Sequence, residues 1–331
     1  MESALITTPP KSCAAASASA DLPLAVGPSI SRASFPPCFR SGDSFMQTVL
    51  TLVAAPGQEI PERALSALEA VLPAAATAEG AGGVRHLRFD WDNHAELRDR
   101  VDRALEGEAI DICVQPADMQ GNKRLLIADM DSTMITVECI DELADFAGVR
   151  DQVHAITERA MRGEIDFEGA LTERVRLMQG LKESALQQCF DERVRLSPGA
   201  RELIAGCRAA GMHCALVSGG FTYFTRRVAE LCGFDENRAN TLIFEDGVLT
   251  GEVTQPILGR QAKTEALDEI CAKLGIGPAQ AVAIGDGAND LGMIVKAGLG
   301  VAWRAKPVTA KAADARIDHA DLTAVLRFMG L

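Results

Sequence analysis

No apolar run in this 331-residue chain approaches the roughly 20 residues that a membrane-spanning helix needs. No basic stripe interrupts it either: 33 Lys and Arg stand against 46 Asp and Glu, a formal net charge of −13. A field of that sign repels nucleic acid and anionic membranes, so neither is an expected partner. It also repels an anionic substrate unless the site brings its own positive charge. The nine cysteines include no Cys-x-x-Cys pair and no His/Cys spacing suited to zinc. Scattered thiols, odd in number, point instead to a reducing, cytoplasmic compartment. What is left, 47% hydrophobic and 24% charged residues, is ordinary for a globular protein. The length allows two or more domains, each with its own core.

What the chain does contain is organised around Lys123-Arg124-Leu125-Leu126-Ile127-Ala128-Asp129-Met130-Asp131-Ser132-Thr133. Four apolar residues without alternation suit a strand buried on both faces, as in a parallel sheet. Ligands of such sheets bind at the carboxyl ends of the strands, where Asp129 and Asp131 would lie. Two carboxylates so placed repel by about 4 kcal/mol at ~4 Å and an effective dielectric of ~20. A cation, a shared proton or a lysine is therefore required nearby.

Residues 1–44 are rich in Ser, Ala and Pro and read as a disordered tail. The apolar stretch Leu22–Ile30 is broken by Pro23 and Pro28, a poor secretory core, and bases are too few for a strong transit signal. A start codon placed too far upstream is the other reading, since Met46 opens the first strand-like run. Residues 45–117 read as a small α+β domain of ferredoxin-like or ACT-like kind, a type that binds amino acids or another subunit. Met46–Val53, the alternating Leu87, Phe89, Trp91 and the closing Ile110, Ile112, Val114 are its strands. One helix starts at Pro61 with Ala64, Leu65, Leu68, Val71 and Leu72 on one face; the other carries Leu97, Val101 and Leu105. The count is one strand short of the full pattern. His86 and His94 are expected to face solvent rather than to hold a metal.

From about 137 to 195 only helical patterns occur, beginning with the face Val137, Ile140, Leu143, Ala144, Ala147 and its stop at Gly148. Helices inserted after a site-bearing strand sit where a lid would. Cys139, near that strand, reads as a buried thiol and not a nucleophile. Cys214–Val217 is a second buried strand, ending in Ser218-Gly219-Gly220 before a helix, an arrangement able to bind an anion. Leu242–Glu245 and Val248–Val253 flank Asp246-Gly247 as a hairpin. Lys263 opens a helix and would by itself pass for a surface group. Ala281–Ile284 is a third buried strand, ending in Gly285-Asp286-Gly287-Ala288-Asn289-Asp290. Leu299–Trp303 and Ala315–Ile317 follow as strands, and Asp321 as the cap of a last helix.

Asp129-Met130-Asp131-Ser132-Thr133, Ser218-Gly219-Gly220, Lys263 and Gly285-Asp286-Gly287-Ala288-Asn289-Asp290 resemble, in order, the four motifs of the haloacid dehalogenase superfamily. Within it the likeness over 121–331 is to the branch that acts on O-phosphoserine, and extends to Glu138, Met161, Phe167 and Arg174 in the insertion. The resemblance implies an α/β Rossmann-like core with a parallel sheet and a helical cap at about 137–195. It implies magnesium-dependent hydrolysis of a phosphomonoester through an aspartyl phosphate, yielding serine as the last step of its biosynthesis. Asp129 would be the nucleophile and Asp131 the general acid/base. Asp129, the Asp131 backbone carbonyl and Asp286 would hold Mg2+. Ser218, Gly219, Lys263 and Asn289 would bind phosphate, with Asp290 supporting Lys263 or a metal-bound water. Glu138 would take the substrate ammonium and Arg174 its carboxylate, with Met161 and Phe167 closing over them. A homodimer is left open. So are a related phosphatase or phosphotransferase acting on another small phosphomonoester, a response-regulator receiver, and a primarily regulatory protein. The helical insertion speaks against the receiver, and the full set of catalytic residue types against the regulator.

Overall fold

A computed structural model describes residues 47–74 and 76–331. The tail expected over 1–44 lies outside the described residues, as does Met46, the first residue of the strand expected over Met46–Val53; the rest of that strand is described.

The first elements are β1 (Gln47–Ala54), α1 (Glu62–Glu69), β2 (Thr77–Glu79), β3 (Val84–Asp90), α2 (His94–Ala104) and β4 (Ile110–Pro116). The strands lie antiparallel in the order β2-β3-β1-β4. Alternation along them sends Leu50, Leu52, Leu87, Phe89, Ile112 and Val114 to one face, against Ala64 and Leu68 of α1 and Leu97 and Val101 of α2. All three residues of β2 are exposed, so no alternation marked that strand in the sequence. The histidines differ from expectation. His86 Nδ1 lies 3.0 Å from Thr51 Oγ1, and His94 Nε2 lies 2.9 Å from Thr48 Oγ1. Both rings are half-buried and paired with β1 hydroxyls, so they face solvent only in part.

The sheet continues without a break. β5 (Leu125–Ala128) leads into the helices α3 (Cys139–Phe146), α4 (Arg150–Met161), α5 (Phe167–Leu177), α6 (Ser184–Arg193) and α7 (Ala200–Ala209). Then come β6 (His213–Phe221), α8 (Thr222–Cys232), β7 (Glu236–Asn240), the hairpin β8 (Leu242–Glu245) and β9 (Val248–Val253), and α9 (Arg260–Leu274). β10 (Ala281–Gly285), α10 (Leu291–Lys296), β11 (Leu299–Trp303), α11 (Pro307–Ala312), β12 (Ala315–Ile317) and α12 (Ala324–Phe328) complete the chain. The full sheet order is β2-β3-β1-β4-β12-β11-β10-β5-β6-β7. From β12 to β7 all neighbours are parallel, and β12 meets β4 antiparallel through Ala315↔Cys113 and Arg316↔Ile112.

β5 is buried on both sides, as its unalternating run required. Leu126 and Ala128 face α7 and α8, while Leu125 and Ile127 face α9 and α10. The chain leaves β5 toward β6 on one side and returns to β10 on the other. That reversal opens a crevice at the strand ends, between Asp129 and Asp286.

α3 to α6 form the helical insertion over that end. The hairpin β8–β9, separate from the main sheet, braces it from below. Its turn has φ of +49° at Asp246 and +76° at Gly247, as a type I′ turn requires. Gly180 N–H donates to Leu249 O at 2.8 Å, Leu249 N–H to Leu181 O at 2.8 Å and Glu183 N–H to Gly247 O at 2.9 Å. A segment that read as a plain hairpin is therefore the floor on which the insertion rests. Asp111, at the start of β4, ties that strand to the segment after β12, accepting N–H bonds from Asp318, His319 and Ala320.

Candidate active site

Three polar strand ends, of β5, β6 and β10, and the first turn of α9 converge at the crevice. After β5 the chain makes a tight loop closed by Ile135 N–H to Met130 O at 3.0 Å. Ser132 takes a φ of +55° there, a conformation uncommon outside glycine. Asp129 and Asp131 are thereby both carried inward and buried. Asp129 Oδ1 accepts the Met130 N–H at 2.7 Å. Asp131 is held at both oxygens, Oδ1 by Cys139 N–H at 2.9 Å and Oδ2 by Ser218 Oγ–H at 3.0 Å. Gly220 donates its N–H to Ser218 Oγ at 2.8 Å, and a Cβ on Gly220 would stand 2.5 Å from Asp131 Oδ2. Only glycine lets this loop pass so close.

Lys263, in the first turn of α9, is 1% exposed and lies 2.7 Å from Asp129 Oδ1 and 2.6 Å from Asp290 Oδ1. The surface lysine suggested by its local sequence is a buried one. Burial alone would lower its pKa, but Asp129 and Asp290 more than offset this and hold it raised and protonated. Asp290 Oδ2 accepts the Gly287 N–H at 3.0 Å, which folds the loop after β10 back on itself. Asp286 Oδ1 accepts from Thr133 Oγ1 at 3.2 Å. Asn289 lies half-buried in the same loop, its side-chain oxygen close over Gly287.

Burial, the charge of Asp290 and then that of Asp131 push Asp129 well above the usual carboxylate range against the pull of Lys263. Burial and Asp290 likewise push Asp286 up to about 6, and burial raises Asp131. The cause common to all three is burial; at Asp129 and Asp286 the neighbouring Asp290 carboxylate adds to it. Carboxylate oxygens of Asp129, Asp286 and Asp290 come within 4.8 Å of one another. Hard oxygen donors, close-set and short of positive charge, fit a divalent cation such as Mg2+. The Asp131 carboxylate stands outside that trio, engaged by Cys139 and Ser218. Cys139 is buried, and burial with the neighbouring Asp131 raises its thiol well above the usual value, an environment that disfavours a thiolate.

The insertion brings some of its expected residues to this centre and not others. Phe167, at the start of α5, lies against the loop after β6: a Cβ on Gly219 would stand 2.8 Å from Phe167 Cζ. Glu138 opens to the cleft and accepts from Ser132 Oγ at 2.6 Å. Crowding by protein and the charges of Asp131 and Asp286 raise its carboxyl. Arg174 is half-buried; its Nε donates to Ala170 O at 3.1 Å and its Nη1 to Thr157 Oγ1 at 3.4 Å. Among the described residues it has no carboxylate at ion-pair distance. Met161 ends α4 with 66% of its surface exposed and is not drawn over the site.

Two contributors were missed in the sequence. Thr133 holds Asp286. Asn240, at the end of β7, is 3% exposed and donates to Gly219 O at 2.9 Å. Its signal was the same as that of the other motifs, a polar residue at a strand end. The strand itself, Glu236-Asn237-Arg238-Ala239-Asn240, has no apolar run to announce it.

Comparison with known proteins agrees with this geometry. The family model of haloacid dehalogenase-like hydrolases matches residues 126–294. A phosphoserine phosphatase of Albidiferax ferrireducens is 50% identical over 208 residues, 61% of this chain and 88% of that one. A solved HAD family hydrolase from Salmonella enterica serovar Typhi superposes with a TM-score of 0.78 at 29% identity, covering 86% of this chain and 98% of the other. A phospho-aspartyl intermediate analogue of phosphoserine phosphatase superposes with a TM-score of 0.59 at 40% identity, over 62% of this chain and 99% of its own.

Proposed function

The chain belongs to the haloacid dehalogenase-like hydrolases, and from that premise we propose that it is a phosphoserine phosphatase using Asp129 as its nucleophile. The observation that supports the assignment of roles most directly is the occupation of Asp129. Its Oδ1 is held by the Met130 N–H and the Lys263 ammonium, which leaves Oδ2 to attack. Attack on phosphorus breaks the bond to the serine oxygen and leaves an acyl phosphate on Asp129, splitting one difficult displacement into two. Asp131 gives its proton to the departing serine oxygen. The resulting carboxylate then takes a proton from the water that attacks the acyl phosphate, and inorganic phosphate and free Asp129 are restored. The raised pKa of Asp131 suits the first of these tasks.

Ser218, the Gly219 N–H, Lys263 and Asn289 hold the phosphate oxygens that gain charge during transfer. Mg2+ would be held by Asp129, the Asp131 backbone carbonyl and Asp286, with Asp290 alongside, and would supply charge neutralisation and orientation of the phosphoryl group. In the insertion, Glu138 takes the substrate ammonium. Arg174, half-buried and among the described residues without a carboxylate at ion-pair distance, takes the substrate carboxylate. Phe167 keeps water from the reacting centre, and Met161 closes only when the insertion moves. The segment 45–117 is an ACT-like unit whose sheet is continuous with that of the catalytic unit through β4 and β12, and it offers a surface for a second copy of the chain. A reducing, cytoplasmic setting suits the seven buried free thiols of the described residues.

Phosphate release from O-phosphoserine, with and without chelator, tests the reading. Wild-type protein quenched in acid should retain phosphate on Asp129, and Asp129→Asn should not. Steady turnover by Asp129→Asn would end the covalent assignment.

A further inference from the structure

The loop that binds phosphate interrupts the pairing of β6 with β7. The register shifts between Val217 and Phe221, so Ser218-Gly219-Gly220 leaves the ladder. A carbonyl that leaves a ladder within the protein needs another donor. Asn240 provides it: Nδ2–H donates to Gly219 O at 2.9 Å and its second hydrogen to Leu258 O at 3.2 Å. Leu258 returns its N–H to Asn240 Oδ1 at 2.7 Å. The opposite placing of oxygen and nitrogen would set oxygen against two carbonyls, so the network itself fixes the orientation.

We infer that Asn240 is a positioning residue of the phosphate site, setting the Gly219–Gly220 peptide and the approach to Lys263 with one side chain. Fixing Gly219 O fixes the plane of that peptide. Gly220 N–H then meets Ser218 Oγ at 2.8 Å, and Ser218 Oγ–H meets Asp131 Oδ2 at 3.0 Å. On its other side the amide clasps the Leu258 peptide, two residues before α9 begins and five before Lys263. Loss of the clasp frees both carriers at once. Asn240 touches neither substrate nor metal in this arrangement; it acts through residues that do.

The inference rests on the phosphate site proposed above but not on the choice of serine. The test uses the full-length, magnesium-loaded protein and the variants Asn240→Ala and Asn240→Asp. Aspartate keeps the acceptor for Leu258 N–H and replaces the donor by an oxygen facing two carbonyls. Competitive inhibition by inorganic phosphate is measured with kcat and KM for O-phosphoserine and p-nitrophenyl phosphate, and with Tm. In the folded fraction the phosphate Ki should rise tenfold or more, and the KM of both esters by a similar factor. A lower Tm with Ki and both KM values within twofold of wild type would make Asn240 merely structural and overturn the inference. So would a loss confined to O-phosphoserine. Should neither variant fold, the wild-type Asn240 side-chain amide resonances decide: they should shift when phosphate is added, and fixed resonances would refute the role. Failure of the wild type to hydrolyse O-phosphoserine would strike the substrate assignment alone.

Discussion

The Lys263 ammonium lies 2.7 Å from Asp129 Oδ1, with 1% of the lysine side chain exposed. With Asp129 as the proposed nucleophile, a carboxylate and a buried cation already in contact need no rearrangement to receive a phosphoryl group. The same contact explains why Asp129 is not expelled from the interior by its neighbour Asp290: one ammonium serves both. Lys263→Met should therefore lower kcat by about a hundredfold or more through lost charge stabilisation. Lys263→Arg should not restore it, because a forked guanidinium does not fit the place of a point charge. Near-normal kcat in either variant, measured by phosphate release, would remove Lys263 from the phosphate site.

Gly219 and Phe167 set how closely the insertion meets the core. A methyl group at Gly219 would stand 2.8 Å from Phe167 Cζ, nearer than carbon atoms approach without movement. Gly219→Ala should hold the insertion back, and displacement of about 1 Å in such a site costs up to about a hundredfold. The double variant Gly219→Ala with Phe167→Leu should recover part of the loss, which a double-mutant cycle on kcat/KM would detect. Strict additivity of the two changes would place the effect of Gly219→Ala elsewhere.

Metal-free protein should lose stability as pH rises through 6. Asp286 is pushed up to about 6 and Asp129 is raised well above its ordinary value. Groups raised on folding contribute stability that is fully present below their unfolded pKa, near 4, and is lost as pH climbs through the folded value. Bound Mg2+ replaces those protons, so its stabilising effect should run the other way. The rise in Tm caused by magnesium should be small at pH 5 and larger at pH 7. An increment that shrinks between those values would show that the three aspartates do not hold the ion.

The contrast between what could be read and what could not follows burial. β5, β6 and β10 are unbroken apolar runs because helices cover both their faces, and each ends in polar residues that have no core to enter. Those ends were therefore legible, and with them the α/β fold and the places of the aspartates and of Ser218-Gly219-Gly220 at the strand ends. β2 and β7 carry no apolar run, one being wholly exposed and the other mostly polar, so the edges of the sheet and Asn240 went unseen. The depth of Lys263 was invisible locally, because its burial comes from carboxylates 134 and 27 positions away in the chain. The union of the two sheets rests on Ala315↔Cys113 and Arg316↔Ile112, a pairing of strands about 200 residues apart that no local pattern encodes.

In the proposed reading, Arg174 carries the choice of substrate. Its guanidinium donates to Ala170 O and Thr157 Oγ1 and among the described residues meets no carboxylate at ion-pair distance. Burial lowers its pKa, and the charges of Asp141 and Glu138 compensate only in part. A cation so placed gains most from an anion brought by the ligand, and O-phosphoserine offers a carboxylate that phosphoethanolamine and glycerol phosphate lack. Losing such a charge-assisted partner in a closed site costs about 2–4 kcal/mol, or about thirty- to a thousandfold. Arg174→Ala should lower kcat/KM for O-phosphoserine by that factor and barely change it for p-nitrophenyl phosphate, whose phosphate is held by other residues. Phosphothreonine should be penalised by only about 1–3 kcal/mol for its extra methyl group. Thr157→Val, which removes the hydroxyl that steadies the guanidinium, should reproduce a smaller part of the Arg174→Ala loss on O-phosphoserine alone. Equal losses on p-nitrophenyl phosphate and O-phosphoserine would make Arg174 a structural residue of the insertion and leave the head group to be read elsewhere.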